Sequence, residues 1–100
     1  MKTTIQETEN KIIATLAGEL DTTAALEVEE ALKPLLDTNG RDIVIDCTEL
    51  EYIASSGLRI LLSILKQAKS HDCHLVLKNV NDDIKDVFQM TGFINIFEFE

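Results

Sequence analysis

The sequence predicts an α/β fold: a mixed, mostly parallel sheet of about four to five strands, with about three to four helices. Three observations carry that reading. After an opening pair of strand-like segments, short apolar runs alternate with longer segments whose apolar residues recur every three to four positions, a pattern that implies right-handed crossovers between parallel strands. The opening pair is separated only by the turn around Glu9-Asn10, so it forms a hairpin and contributes one antiparallel strand. The run Ile43-Val44-Ile45 has no polar interruption, as a central strand covered on both faces requires.

Taken in order, Lys2 to Glu7 is a weak, polar strand, and Lys11 to Ala17, carrying Ile12, Ile13, Ala14 and Leu16, is its partner. Gly18-Glu19-Leu20-Asp21 breaks the pattern. Asp21, Thr22 and Thr23 each suit the N-cap of the helix that follows, whose stripe is Ala25, Val28, Ala31, Leu32, Leu35 and Leu36. Pro34 falls inside that stripe; a missing N–H and a ring clash cost ~3 kcal/mol in a helix interior, which predicts a kink or an early end. Thr38-Asn39-Gly40 closes the segment. Asp42 to Cys47 is the third strand. Leu58 to Ala68 is the second long helix, with Leu58, Leu61, Leu62, Leu65 and Ala68 inward, Ile60 and Ile64 widening the stripe, and Arg59, Ser63, Lys66 and Ser70 on the wet face. His74 to Lys78 is the next strand. Asn81 caps a short helix with Asp82 and Asp83 in its first turn, Ile84, Val87, Phe88 and Thr91 inward, and Gly92 as the stop. Ile94 to Phe99 is either an edge strand or an irregular tail.

Residues 1–100 are expected to form one domain, with 45% hydrophobic and 27% charged residues as in an ordinary globule. A net charge of −9 argues against nucleic acid or an anionic membrane as a direct partner, because phosphate binding needs Lys and Arg. A protein with a basic face suits it better. The first residues carry no apolar signal segment, and no apolar run approaches the ~18 residues of a membrane span. With two cysteines and no such signal, a reduced, cytoplasmic setting is expected.

Ser55-Ser56-Gly57 stands where the second long helix should begin. Its hydroxyls can cap the first turn. Equally, one can be exposed, where an attached phosphate would meet the positive end of the helix dipole. In parallel sheets sites gather at the carboxyl ends of strands, which would put Asp21 and Ser55 on one rim. Other chemistry lacks residues. Four scattered glycines make no phosphate-cradling loop, and Ile53 and Ala54 before Ser55 rule out a Gly-x-Ser-x-Gly elbow. His71 and His74 suggest no acid–base pair with Ser55, Cys73 reads as a small buried hydrophobe in an incomplete ligand set, and Asp46, with no carboxylate cluster for Mg²⁺, reads as a cap for the loop after its strand. No catalytic activity, metal or cofactor is expected.

Gly18-Glu19-Leu20-Asp21, a central strand ending at Asp46, and Tyr52-Ile53-Ala54-Ser55-Ser56-Gly57-Leu58-Arg59 together resemble the STAS domain family (sulfate transporter and anti-sigma factor antagonist); Val87-Phe88-Gln89-Met90-Thr91-Gly92-Phe93 looks like its closing helix. The likeness spans nearly the whole chain, and its lack of other domains resembles the free-standing bacterial antagonists. The resemblance implies a STAS-like fold and a binding role. By it Ser55 is the serine phosphorylated by an anti-sigma factor with serine kinase activity, and a PP2C-type phosphatase reverses the step. Asp21, Thr22, Ser55, Ser56, Gly57 and Arg59 would then be the partner-binding residues. Many members carry Asp directly before the phosphorylated serine, where this chain has Ala54. An alternative within the family is a subunit of a transporter complex or stress-signalling scaffold that Ser55 does not control.

Overall fold

A computed structural model describes all residues, 1–100. In chain order its elements are β1 (Lys2–Glu7), β2 (Lys11–Leu20), α1 (Thr22–Ala31), a 3₁₀ turn (Lys33–Leu36), β3 (Asp42–Ile53), α2 (Ser55–Ser70), β4 (Leu75–Lys78), α3 (Asp82–Met90), a second 3₁₀ turn (Phe93–Asn95) and β5 (Glu98–Phe99). The five strands lie side by side in sequence order. β1 runs antiparallel to β2, and all other neighbours are parallel. The hairpin is tied at Thr8, whose N–H donates to the Lys11 carbonyl at 2.8 Å and whose hydroxyl accepts the Lys11 N–H at 3.0 Å.

Alternation sorts the strands into two faces. Ile12, Ala14 and Leu16 of β2, Ile43, Ile45 and Cys47 of β3, and Leu75 and Leu77 of β4 join the buried residues of all three helices in one core. The opposite face carries a cross-strand row, Ile13–Val44–Val76, whose members are half-buried and stand outside that core. β3 is thus central as expected, but the expectation that it is covered on both faces is corrected. The helices cover one face, and on the other the three β-branched side chains shield one another laterally.

Two strands run further than their sequences suggest. β2 continues through Gly18-Glu19 to Leu20, and β3 continues past Cys47 to Ile53. The reason lies in the register. Thr15 pairs with Asp46 and Leu20 with Ile53, so five steps along β2 match seven along β3, with shifts between Thr15 and Ala17 and between Gly18 and Glu19. β3 therefore bulges twice. At the first bulge the Asp46 carboxylate accepts the Thr48 hydroxyl and, at 3.0 Å, the Thr48 N–H, and these bonds hold its pKa below the usual value. Asp46 is a mid-strand residue that braces a bulge, not the strand's last residue.

The α1 segment ends as Pro34 dictates: regular helix stops at Ala31, and Lys33–Leu36 tightens to 3₁₀ with the proline in its first turn. Within α2, Ile60 and Ile64 are buried together with Leu58, Leu61, Leu65 and Ala68, whereas Leu62, expected inward, is only half-buried. α1 and the 3₁₀ turn pack beside α2, so the buried stripe turns toward them. Thr91 is also corrected: it is exposed, and its hydroxyl donates back to the Val87 carbonyl at 2.8 Å. The tail combines the two alternatives: Ile94 and Asn95 lie in the 3₁₀ turn, and Glu98–Phe99 alone is an edge strand, pairing parallel to β4.

Candidate functional site

Two helices start from the carboxyl ends of adjacent parallel strands. Leu20 and Ile53 are paired in register as the last residues of β2 and β3, and the Ala54 N–H donates to the Leu20 carbonyl at 2.8 Å. One residue later on each strand, the chain turns into α1 and α2. Asp21 and Ser55 therefore emerge from the same edge of the sheet, and the N-termini of the two helices stand side by side.

The two starts are finished differently. Asp21 is the N-cap of α1, its carboxylate accepting the Ala24 N–H at 2.8 Å. At α2 the cap position is held by Ala54, in extended conformation, and no side chain caps the helix. The first intrahelical bond is Leu58 N–H to the Ala54 carbonyl at 3.0 Å. Neither serine is thus a cap. Ser55 is the first helical residue and is exposed. Ser56, the second, has its Oγ buried without a hydrogen-bond partner.

Gly57, also expected among the partner-binding residues, is buried at the start of α2. A Cβ there would stand 2.7 Å from Leu20 Cγ and 3.0 Å from Ile53 Cγ1, in the space where α2 crosses the two strand ends. Glycine is required for that close approach, which fixes where Ser55 is presented.

Thr22, Ser56 and Arg59 meet in one open hollow of about 440 Å³ between α1 and α2, lined also by Ala25, Leu26 and Glu29. Asp21 belongs to a separate hollow, on another face of α1, with the carboxylates Glu19, Glu27 and Glu51. Leu26 had no place in the expected site. It is 79% exposed, a large apolar side chain beside the hollow. Its signal was available in the sequence, since it sits one residue, about 100° of helix, off the Ala25–Val28–Leu32 stripe. No helix is long and apolar enough to cross a membrane.

The STAS domain family matches residues 2–100, and the chain belongs to it. The chain is 34% identical over 97 residues to BtrV of Bordetella bronchiseptica, named as a candidate anti-sigma factor antagonist, an overlap of 97% of this chain and 84% of that one. It is also 34% identical over 77 residues to the anti-sigma-B factor antagonist of Staphylococcus aureus, covering 77% of this chain and 71% of that protein. Among solved structures, the Bacillus cell fate determinant SpoIIAA in its phosphorylated form superposes with a TM-score of 0.74 at 19% identity, over 99% of this chain and 91% of that one, a likeness of fold.

Proposed function

We propose that this protein is an anti-sigma factor antagonist whose binding is switched at Ser55. Unmodified, it binds an anti-sigma factor with serine kinase activity through the rim formed by Asp21, Thr22, Ser55, Ser56 and Arg59, with Leu26 as an added apolar contact. The bound sigma factor is thereby released in the cytoplasm. The partner transfers the γ-phosphoryl group of ATP to the Ser55 hydroxyl, the complex separates, and a PP2C-type phosphatase restores the hydroxyl. The protein's own part is to bind and to accept phosphate.

The observation that carries this reading is Ser55 itself, exposed at the uncapped start of α2. A phosphate there adds about −1.5 to −2 charges at the positive end of a helix dipole, so the free protein tolerates it. Inside a closed interface the same charge, unpaired and desolvated, costs several kcal/mol, on the order of 10²-fold or more in affinity. The names of the two relatives support the partner class. The carboxylates Glu19, Asp21, Glu27 and Glu51 beside the site favour a partner with a basic face.

The test is incubation with the anti-sigma factor and ATP, with peptide mass spectrometry to locate the phosphate. One phosphate on Ser55 is expected. Ser55→Ala should bind and become insensitive to ATP, and Ser55→Asp should bind on the order of 10²-fold more weakly. Phosphate incorporated into Ser55→Ala at the wild-type level would refute the assignment.

A further inference from the structure

We propose that Arg59 is the internal counter-ion of phosphorylated Ser55, so that phosphorylation both adds an anion to the rim and withdraws the rim's cation. The inference rests on the reading of Ser55 as the phosphate acceptor.

The chain has two arginines. Arg41 is fully engaged, its Nε donating to the Thr38 carbonyl at 2.8 Å, Nη1 to the Thr8 carbonyl at 3.3 Å and Nη2 to Glu7 Oε1 at 3.0 Å. Arg59 is exposed, and the ion pairs of the molecule are Glu30–Lys33, Glu7–Arg41 and His74–Glu98, none of which involves it. It stands four residues after Ser55 on α2. Side chains so spaced are neighbours on a helix, with Cβ atoms about 5–6 Å apart, and the later one leans back toward the N-terminus. That spacing puts the helix start within reach of the Arg59 guanidinium, which lines its hollow together with Ser56. Arg59 is also three residues from Ser56, the serine whose buried Oγ has no partner.

The surroundings favour a counter-ion in addition to the helix dipole. Glu29 of α1 shares the hollow of Arg59, and on the Asp21 side of the rim a second hollow is lined by Glu19 of β2, the cap Asp21, Glu27 of α1 and Glu51 of β3, where the Met1 backbone nitrogen lies near Gly18. Arg59 is the only cationic side chain lining either hollow. A dianion in this acidic setting draws the nearest free guanidinium, whose planar fork suits two phosphate oxygens. In the unmodified protein the same guanidinium is free to meet the partner. Phosphorylation captures it, so the partner loses a contact as it gains a repulsive charge.

The experiment places phosphoserine at position 55 by genetic encoding in the full chain and follows the phosphate by ³¹P NMR titration. A guanidinium in contact favours the dianion, so its second ionisation should fall at lower pH in the wild-type background than in Arg59→Gln, by about threefold or more in proton affinity. Arg59→Lys should recover part of the shift. Lys66→Gln, which removes another exposed α2 cation, should leave the titration unchanged. Identical titrations with and without Arg59, or an equal effect from Lys66→Gln, would overturn the proposal. Because the phosphate is installed without any kinase, a negative result bears on Arg59 alone and leaves the assignment of Ser55 to its own test.

Discussion

Ser55 owes its freedom to Ala54. A serine, threonine or aspartate in the cap position would turn its oxygen onto the first-turn N–H groups, whereas alanine leaves them unpaired and leaves the next residue, Ser55, as the first polar side chain of α2. Ala54→Asp should therefore stabilise the fold by ~0.5–2 kcal/mol, read as a higher urea midpoint, because it supplies the missing cap. Ser55→Ala should shift the same midpoint by no more than ~0.5 kcal/mol, since Ser55 is not the cap. Gly57→Ala should cost ~1–3 kcal/mol, because its methyl group meets Leu20 and Ile53, both buried. A further residue-level signature lies at Cys47. Burial first, and then the neighbouring Asp46, push its thiol from 9.0 up to about 12. The folded thiol ionises later than the unfolded one, so stability present below pH 9.0 is lost as the pH rises toward about 12. Urea melts across that range should show the decline, and Cys47→Ala should flatten its slope.

Among the elements, α2 connects core to rim. Its inner face is Leu58, Leu61, Ile64, Leu65 and Ala68, and Leu61→Ala or Leu65→Ala should each cost ~2–5 kcal/mol in thermal or chemical melts. That face was readable from helical spacing except at Leu62, because which flank of the stripe is covered depends on where α1 and the 3₁₀ turn pack. The strand before it was not, for a physical reason. Inward residues of β3 run Ile43, Ile45, Cys47 at the spacing of two that marks a strand, then Leu50 and Ile53 at a spacing of three. The two bulges insert a residue each, so the far half of β3 imitates a loop, and Asp46 with its bond to Thr48 imitates a strand end. The site was legible in part. Asp21 and Ser55 share an edge because their strands are parallel, which the alternation of elements implied. That Gly57 is buried and Ser56 Oγ enclosed depends on how α2 crosses Leu20 and Ile53, and no local pattern encodes such a crossing.

At the scale of the whole molecule, a net charge of −9 surrounds a rim that is itself acidic apart from Arg59. Association with a basic partner should be steered by that field, so its on-rate should fall as salt rises, while the off-rate changes less. Stopped-flow binding at several ionic strengths measures both. The open face of the sheet, with its Ile13–Val44–Val76 row, lies on the side away from the helices.

The doubly bulged β3 has a consequence for how the protein breathes. Its first half pairs in even register on both sides, Ile43 with Ile12 and Leu75, and Ile45 with Ala14 and Leu77. Its second half, Leu50 to Ile53, has β2 alone as a strand neighbour, with one interruption of the ladder before Leu50 and a second before Tyr52. Such a segment can detach as a cooperative unit at lower free energy than the sheet centre. Amide protons at Leu50–Ile53 should exchange with deuterium faster than those at Ile43–Ile45. The α2 start follows that half and the α1 start follows the end of β2 paired with it, so the rim should open before the sheet centre, and a partner that clamps it would slow exchange there most.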